Sequence, residues 1–186
     1  MTTVLLNKSY DADFVGQVEK ESEQNLSLCY QCGNCTAGCP YSSFYDYPVS
    51  QIVRLTQTGQ RETVLSSRAL WLCASCESCT TRCPNNIDVA RVMDVLRHMA
   101  RRAGHKPEPE IKIFWDTFLN SVEKHGRVFE MGLMAKYIVK TGRVMTDADL
   151  GMDLLPKGKL SFRAHDIVGK QNVADIFKRF NKERES

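Results

Sequence analysis

Apolar residues recur at helical spacing along most of this chain, and no stretch shows the sustained two-residue alternation of a half-buried strand. The clearest stripe lies in residues 87–102, where Val, Met, Leu and Ala share one face. The opposite face carries Arg91, Asp94, Arg97, Arg101 and Arg102. Weaker stripes predict further helices at 11–23, 49–58, 61–71, 110–124, 128–140 and 172–182. The pattern therefore predicts an all-α fold.

Several residues mark where these helices begin and end. Asp11 is a suitable N-cap for the first helix, and Pro48 suits a first helical turn. Gly59 and Gly142 can each end the helix that precedes them.

The segment Gly104–Pro109 indicates a hinge that divides the chain. We predict an N-terminal helical domain at 1–105, a helical extension at 106–142, and a partner-binding arm with a C-terminal helix at 143–186. The arm is predicted because 143–170 carries apolar residues without a helical period. For the helices within 110–140, packing on the chain's own core and packing on another subunit remain equally open.

Composition excludes several classes of protein. The 186 residues are 42% hydrophobic and 25% charged, with a net charge of +3, which is an ordinary globular balance. No basic stripe with interleaved aromatic residues indicates nucleic-acid binding. No stretch is long and apolar enough for a membrane span, and the N-terminus does not resemble a signal peptide. We therefore expect a cytoplasmic protein, with peripheral membrane association through a partner left open.

The unusual feature is a duplicated cysteine motif. Residues 29–40 read CYQCGNCTAGCP and residues 73–84 read CASCESCTTRCP, so both follow C-x₂-C-x₂-C-x₃-C-P at an offset of 44 residues. A threonine follows the third cysteine in both copies, at Thr36 and Thr80. The two windows contain all eight cysteines of the chain: Cys29, Cys32, Cys35, Cys39, Cys73, Cys76, Cys79 and Cys83.

This spacing is typical of cubane iron–sulfur sites, where three cysteines two residues apart wrap one side of a cluster. In two-cluster ferredoxins the fourth cysteine of each run ligates the other cluster. We therefore predict two [4Fe-4S] clusters with crossed ligands and no catalytic residue. Cluster 1 takes Cys29, Cys32, Cys35 and Cys83, and cluster 2 takes Cys73, Cys76, Cys79 and Cys39.

Other uses of these cysteines fit less well. Disulfides are disfavoured because no export signal is present. Zinc is the serious rival, but zinc sites usually pair two C-x₂-C knuckles across a spacer. The four histidines are isolated, and no phosphate loop or nucleophile motif occurs. The sequence therefore favours an electron-transfer protein.

Three segments resemble the C subunit of heterodisulfide reductase: YQCGNCTAGCP, ALWLCASCESCTTRCP and NNIDVARVMDVLR. The resemblance covers about residues 10–105 well and the rest loosely. It implies an α-helical ferredoxin fold in which the eight cysteines hold two [4Fe-4S] clusters. It also implies a relay between an A-type flavoprotein with iron–sulfur clusters (HdrA-like) and a B-type protein (HdrB-like). The Cys-Cys-Gly regions of the B-type protein bind the clusters that act on a disulfide.

Two alternatives remain open. Paired motifs of this kind also occur in the iron–sulfur subunits of succinate dehydrogenase and related dehydrogenases, or of quinone-linked complexes. The absence of a [2Fe-2S] domain before the motifs and of Cys-Cys-Gly regions after them favours the heterodisulfide reductase family. An autonomous soluble ferredoxin is the other alternative, but the 80 residues after Lys106 exceed what a simple carrier needs.

Overall fold

The computed structural model describes residues 10–105, 108–142, 161 and 163–185. In these ranges the regular structure is helical, apart from one isolated antiparallel bridge between Tyr10 and Gln60. The predicted all-α class is therefore confirmed. The chain divides into two compact units, Met1–Glu108 and Pro109–Ser186.

The first unit contains seven α-helices among its described residues. They are α1 Ala12–Ser22, α2 Asn34–Ala37, α3 Val49–Gln57, α4 Arg61–Leu65, α5 Ala69–Leu72, α6 Ser78–Thr81 and α7 Val89–Arg102. Short 3₁₀ turns lie at Leu26–Leu28 and Ser42–Phe44.

Side chains cap the two longest helices of this unit. The Asp11 carboxylate accepts from the backbone N–H of Asp13 at 3.0 Å, which confirms the predicted N-cap of α1. Helix α7 begins two residues later than predicted because the Asp88 carboxylate accepts from Arg91 N–H at 3.0 Å. Both caps satisfy donors that have no partner within the helix.

One hydrophobic core holds the first unit together. Helix α7 contributes the broadest buried face; α1, α4, α5 and α6 pack against it, and α3 packs against α1 and α4. Burying one large apolar side chain stabilises a fold by roughly 1.5–3 kcal/mol. Partly buried cysteines of both windows pack against this core, namely Cys29, Cys35, Cys39, Cys73 and Cys83, while Cys79 is itself buried. The core therefore fixes the position of both motifs.

The sequence predicts one helix over 61–71, and this is wrong, because the chain breaks between α4 and α5. The cause is Asp46, whose carboxylate accepts from Ser67 Oγ at 2.7 Å and from the N–H groups of Arg68 at 2.9 Å and Ala69 at 3.1 Å. Burial would raise the pKa of Asp46, but these hydrogen bonds hold it below its usual range. A carboxylate from a distant loop thus caps α5, the helix that leads into Cys73.

The second unit contains α8 Pro109–His125, α9 Glu130–Thr141 and α10 Lys170–Glu185. Helices α8 and α10 cover the helices predicted at 110–124 and 172–182, whereas α9 begins two residues later than predicted. Gly142 ends α9 with φ +71°, as predicted. Phe114 contacts Trp115, Phe118 and Tyr137, with ring centroids 5.8–6.3 Å apart.

Most of the predicted arm lies outside the described residues, which omit 143–160 and 162. In the described part of the arm, Ile167 donates its N–H to the His125 carbonyl at 3.1 Å, and Asp166 Oδ1 lies 2.7 Å from His125 Nδ1. These residues therefore pack at the C-terminal end of α8, within their own unit. Among the helices of the described ranges, none combines the length and apolar character needed to span a bilayer.

Candidate metal centre

The two cysteine windows share one backbone conformation. Helices α2 and α6 occupy the same place in each copy, beginning two residues after the second cysteine. The residues on either side of that cysteine have positive φ in both: Gln31 at +62° and Gly33 at +82°, Ser75 at +49° and Glu77 at +62°. Turns of this kind direct successive N–H groups into a concavity that suits an anion. The loops therefore fit a cluster whose ligated form is anionic.

The repeated threonine has the same structural role in both copies. Thr36 Oγ1 accepts from the N–H of Ser50 at 2.9 Å, and Thr80 Oγ1 accepts from the N–H of Ala90 at 3.0 Å. Ser50 and Ala90 are each the second residue of a long helix, α3 or α7. The threonine therefore joins each cysteine loop to the start of the helix that follows it. The sequence shows that a threonine occupies the same position in both copies, but it does not reveal the contact that the threonine makes.

A pocket in the first unit brings cysteines from both windows together. Its wall contains Cys39 from the first window and Cys73, Cys76 and Cys79 from the second. Tyr45 and the core residues Val49, Ala90 and Met93 complete much of the remaining wall.

The Tyr45 hydroxyl connects the two windows within this pocket. It lies 3.7 Å from Cys39 Sγ, and Cys73 of the second window lines the same pocket. Burial raises the pKa of Tyr45, and the two neighbouring thiols raise it further. Cysteines from both motifs therefore line one pocket with this phenol group.

A pair of glutamines supports the first window. Gln31 Nε2 donates to Cys29 Sγ at 3.3 Å. Gln57, the last residue of α3, donates through Nε2 to the carbonyls of Leu26 at 2.7 Å and Cys29 at 3.2 Å. Its Oε1 accepts from Gln31 at 3.4 Å. Helix α3 therefore holds the loop that carries Cys29.

The end of the second window lies beside the start of the first. The Asn85 side chain, two residues after Cys83, donates to the carbonyl of Leu28, the residue before Cys29. Within the same turn, Ile87 N–H points to Cys83 Sγ at 3.4 Å. The chain segments of Cys83 and Cys29 are therefore neighbours in space.

Burial and mutual repulsion act on the inner thiols. Burial raises the pKa of Cys79 to about 11, with a further contribution from Cys73. The pKa of Cys35 is raised by burial first, and the nearby Cys29 and Cys32 add to the effect. Crowded thiols of this kind need a cation to stabilise their thiolate forms, and soft thiolates are the ligands that iron–sulfur clusters use. The donor set therefore fits such clusters.

In the described part of the chain, no three His, Cys, Asp or Glu side chains lie close enough together to hold a single metal ion.

Comparison with known proteins identifies the cofactor. Residues 25–87 match the family model of a 4Fe-4S dicluster domain. The chain carries two [4Fe-4S] clusters, as the cysteine spacing predicts. It is an iron–sulfur protein.

Similar proteins indicate which kind of iron–sulfur protein the chain resembles. The chain is 33% identical over 101 residues to the C subunit of the H₂:CoB-CoM heterodisulfide,ferredoxin reductase of Methanothermobacter thermautotrophicus, covering 54% of this chain and 55% of the relative. It is 43% identical over 83 residues to the C subunit of the ferredoxin:CoB-CoM heterodisulfide reductase of Methanosarcina acetivorans, covering 45% and 33%. With the iron–sulfur C subunit of the Methanopyrus kandleri CoB–CoM heterodisulfide reductase it shares 32% over 111 residues, covering 55% and 58%.

The chain resembles the C subunit of heterodisulfide reductase. This confirms the resemblance found in the cysteine motifs. The chain spans about half the length of most of the curated relatives it matches, and about a third of the Methanosarcina relative.

The structure contradicts the environment predicted for Arg97, which supports the second cysteine loop. The sequence places Arg97 on the polar face of α7, but its side chain is only 24% exposed. Its guanidinium donates to the carbonyls of Leu70 at 2.6 Å and Cys73 at 2.7 Å. Arginine reaches these acceptors because its long apolar stem packs along the helix while its planar head forms several hydrogen bonds.

Proposed function

We propose that this chain is the electron-transfer subunit of a heterodisulfide-reductase-type complex. It relays single electrons between a flavin- and cluster-bearing A-type protein and a Cys-Cys-Gly-containing B-type protein. The observation that carries the proposal is the pair of matching cysteine loops on one core, in a chain similar to the C subunit of that enzyme. When bound, each [4Fe-4S] cluster supplies a one-electron redox couple, and the protein supplies position and environment.

The ligand sets proposed are the crossed ones. Cluster 2 is held by Cys73, Cys76, Cys79 and Cys39, and the pocket that these four cysteines line supports this assignment. Cluster 1 is held by Cys29, Cys32, Cys35 and Cys83. The hydrogen bond from the Asn85 side chain to the Leu28 carbonyl supports this assignment because it brings the segment of Cys83 next to that of Cys29.

The burial pattern suits a relay. The core covers one side of the windows, whereas Cys32 and Cys76 are exposed, one in each loop. Tyr30, directly after Cys29, is 64% exposed, and Phe44, shortly after Cys39, is 67% exposed. Exposed aromatic side chains are typical of protein–protein contact sites. Each site therefore has an accessible edge at which a partner protein can dock.

Anaerobic purification of the tagged chain from its own host tests this function. We expect a flavoprotein and a protein with Cys-Cys-Gly regions to co-purify. A solitary brown protein that retains iron and sulfide would favour an autonomous ferredoxin, and dehydrogenase or quinone-linked companions would favour a different complex. Electron paramagnetic resonance after dithionite reduction should give two cubane signals per chain. Fewer than two after full reconstitution would contradict the two-site relay.

A further inference from the structure

We propose that the Tyr45 hydroxyl donates a hydrogen bond to Cys39 Sγ, the sulfur that the first window supplies to cluster 2, which makes Tyr45 a positioning residue that raises the reduction potential of that cluster. This inference rests on the crossed ligand assignment proposed above.

The direction of the hydrogen bond follows from the chemistry of the sulfur atoms. A cysteine that ligates iron has lost its proton, so its sulfur only accepts. The Tyr45 hydroxyl, 3.7 Å from Cys39 Sγ, is then the donor. A donor to a ligand sulfur stabilises the extra negative charge of the reduced state, and the reduction potential rises.

The packing around Tyr45 fixes this donor in place. Its ring is partly buried and packs against the core of the first unit. It lines the pocket together with Cys39 and the three cysteines of the second window. The hydroxyl therefore lies at the junction of the two windows.

The duplication does not supply the same donor to cluster 1. At the 44-residue offset, the position that corresponds to Tyr45 is Val89, a buried apolar residue at the start of α7. On the first window, the Gln31 amide donates to Cys29 Sγ at 3.3 Å. The hydroxyl therefore distinguishes the two sites, and removing it should act on one of them.

Tyr45→Phe tests the proposal because it removes the hydroxyl and keeps the ring. The reconstituted full-length chain is titrated anaerobically and followed by electron paramagnetic resonance, with the cluster 2 signal identified by its loss in Cys76→Ser. At the wild-type midpoint, we expect the reduced-to-oxidised ratio of cluster 2 to fall about tenfold, which corresponds to about 59 mV for one electron. Cluster 1 should keep its midpoint. Tyr47→Phe is the matched control, since Tyr47 also packs against the core.

A second readout separates a hydrogen bond from a packing effect. Electron–nuclear double resonance of reduced cluster 2 should show an exchangeable proton that D₂O removes and that is absent in Tyr45→Phe. If the phenylalanine variant does not assemble, 2,3-difluorotyrosine at position 45 provides a stronger donor and should shift the midpoint upward.

An unchanged midpoint together with an unchanged proton signal would overturn the proposal and leave the relay function intact. A shift confined to the signal that Cys32→Ser abolishes would overturn it as well. Failure of the relay itself would instead appear in the unsubstituted chain, as missing clusters or different companions.

Discussion

The guanidinium of Arg97 donates to the Cys73 carbonyl at 2.7 Å and so joins the middle of α7 to the first cysteine of the second window. The same group donates to the Leu70 carbonyl at 2.6 Å and pairs with Asp94 at 3.2 Å. One side chain thus holds both the end of α5 and the start of the cluster loop.

Arg97→Lys should therefore weaken the second site. Lysine is a point donor and cannot reproduce the fork that reaches two carbonyls, and a hydrogen bond to a charged group contributes roughly 1.5–3 kcal/mol. We expect a loss of about that size in the free energy of unfolding, with faster loss of iron from cluster 2, measured by anaerobic denaturant titration and iron analysis. The control is Arg91→Lys on the same helix, whose exposed pair with Glu23 contributes less than about 1 kcal/mol. Equal effects of the two substitutions would contradict this role.

Asp46→Asn should destabilise the first unit by removing a charged cap from α5. Loss of a capping side chain typically costs about 1 kcal/mol. The pKa of Asp46 is held below its ordinary value of 3.8 in the folded protein, so its carboxylate stabilises the fold above that pH and loses this effect only as the pH falls below it. The stability difference between the unsubstituted and substituted chains should therefore stay constant from pH 8 to pH 5. A difference that shrinks within this range, measured by denaturant unfolding, would show that Asp46 acts differently.

Serine substitutions test the crossed ligands directly. Cys39→Ser should perturb the same resonance signal as Cys76→Ser, and Cys83→Ser should perturb the same signal as Cys32→Ser. The reason is that Cys39 shares a pocket with the cysteines of the second window. The spectra of the four reduced variants are compared after reconstitution. If Cys39→Ser instead groups with Cys32→Ser, each motif ligates its own cluster.

Truncation after Glu108 should leave both clusters in place and abolish assembly of the complex. The buried core residues of the first unit all lie before this position, and Glu108 keeps its ion pair with Arg68. We expect two cubane signals from the truncated chain and no co-purifying proteins. Retained companions would show that residues 109–186 do not mediate assembly.

Local pattern was sufficient for most helices, because capping and amphipathic periodicity depend on residues within one or two turns. Asp11, Gly142 and the face of α7 illustrate this. The spacing of the cysteines likewise revealed the cofactor.

Contacts between distant parts of the chain could not be predicted in this way. Asp46 breaks a helix 21 or more residues away, and Arg97 reaches back 24 residues to Cys73. Tyr45 lies next to sulfurs of both windows, although nothing in its local sequence distinguishes it from Tyr41 or Tyr47. Each of these contacts joins residues that are distant in sequence or depends on how such segments pack, which a local pattern does not specify.

The positive φ angles of the two loops bear on the order in which the clusters are installed. Glycine adopts φ +82° at position 33 without steric strain, whereas the left-handed conformation of Glu77, at φ +62°, costs roughly 1–2 kcal/mol. The first loop thus needs less energy to take its final shape before iron arrives. When iron is scarce, we expect newly made chains to fill the first window before the second, so maturation would pass through a half-loaded form.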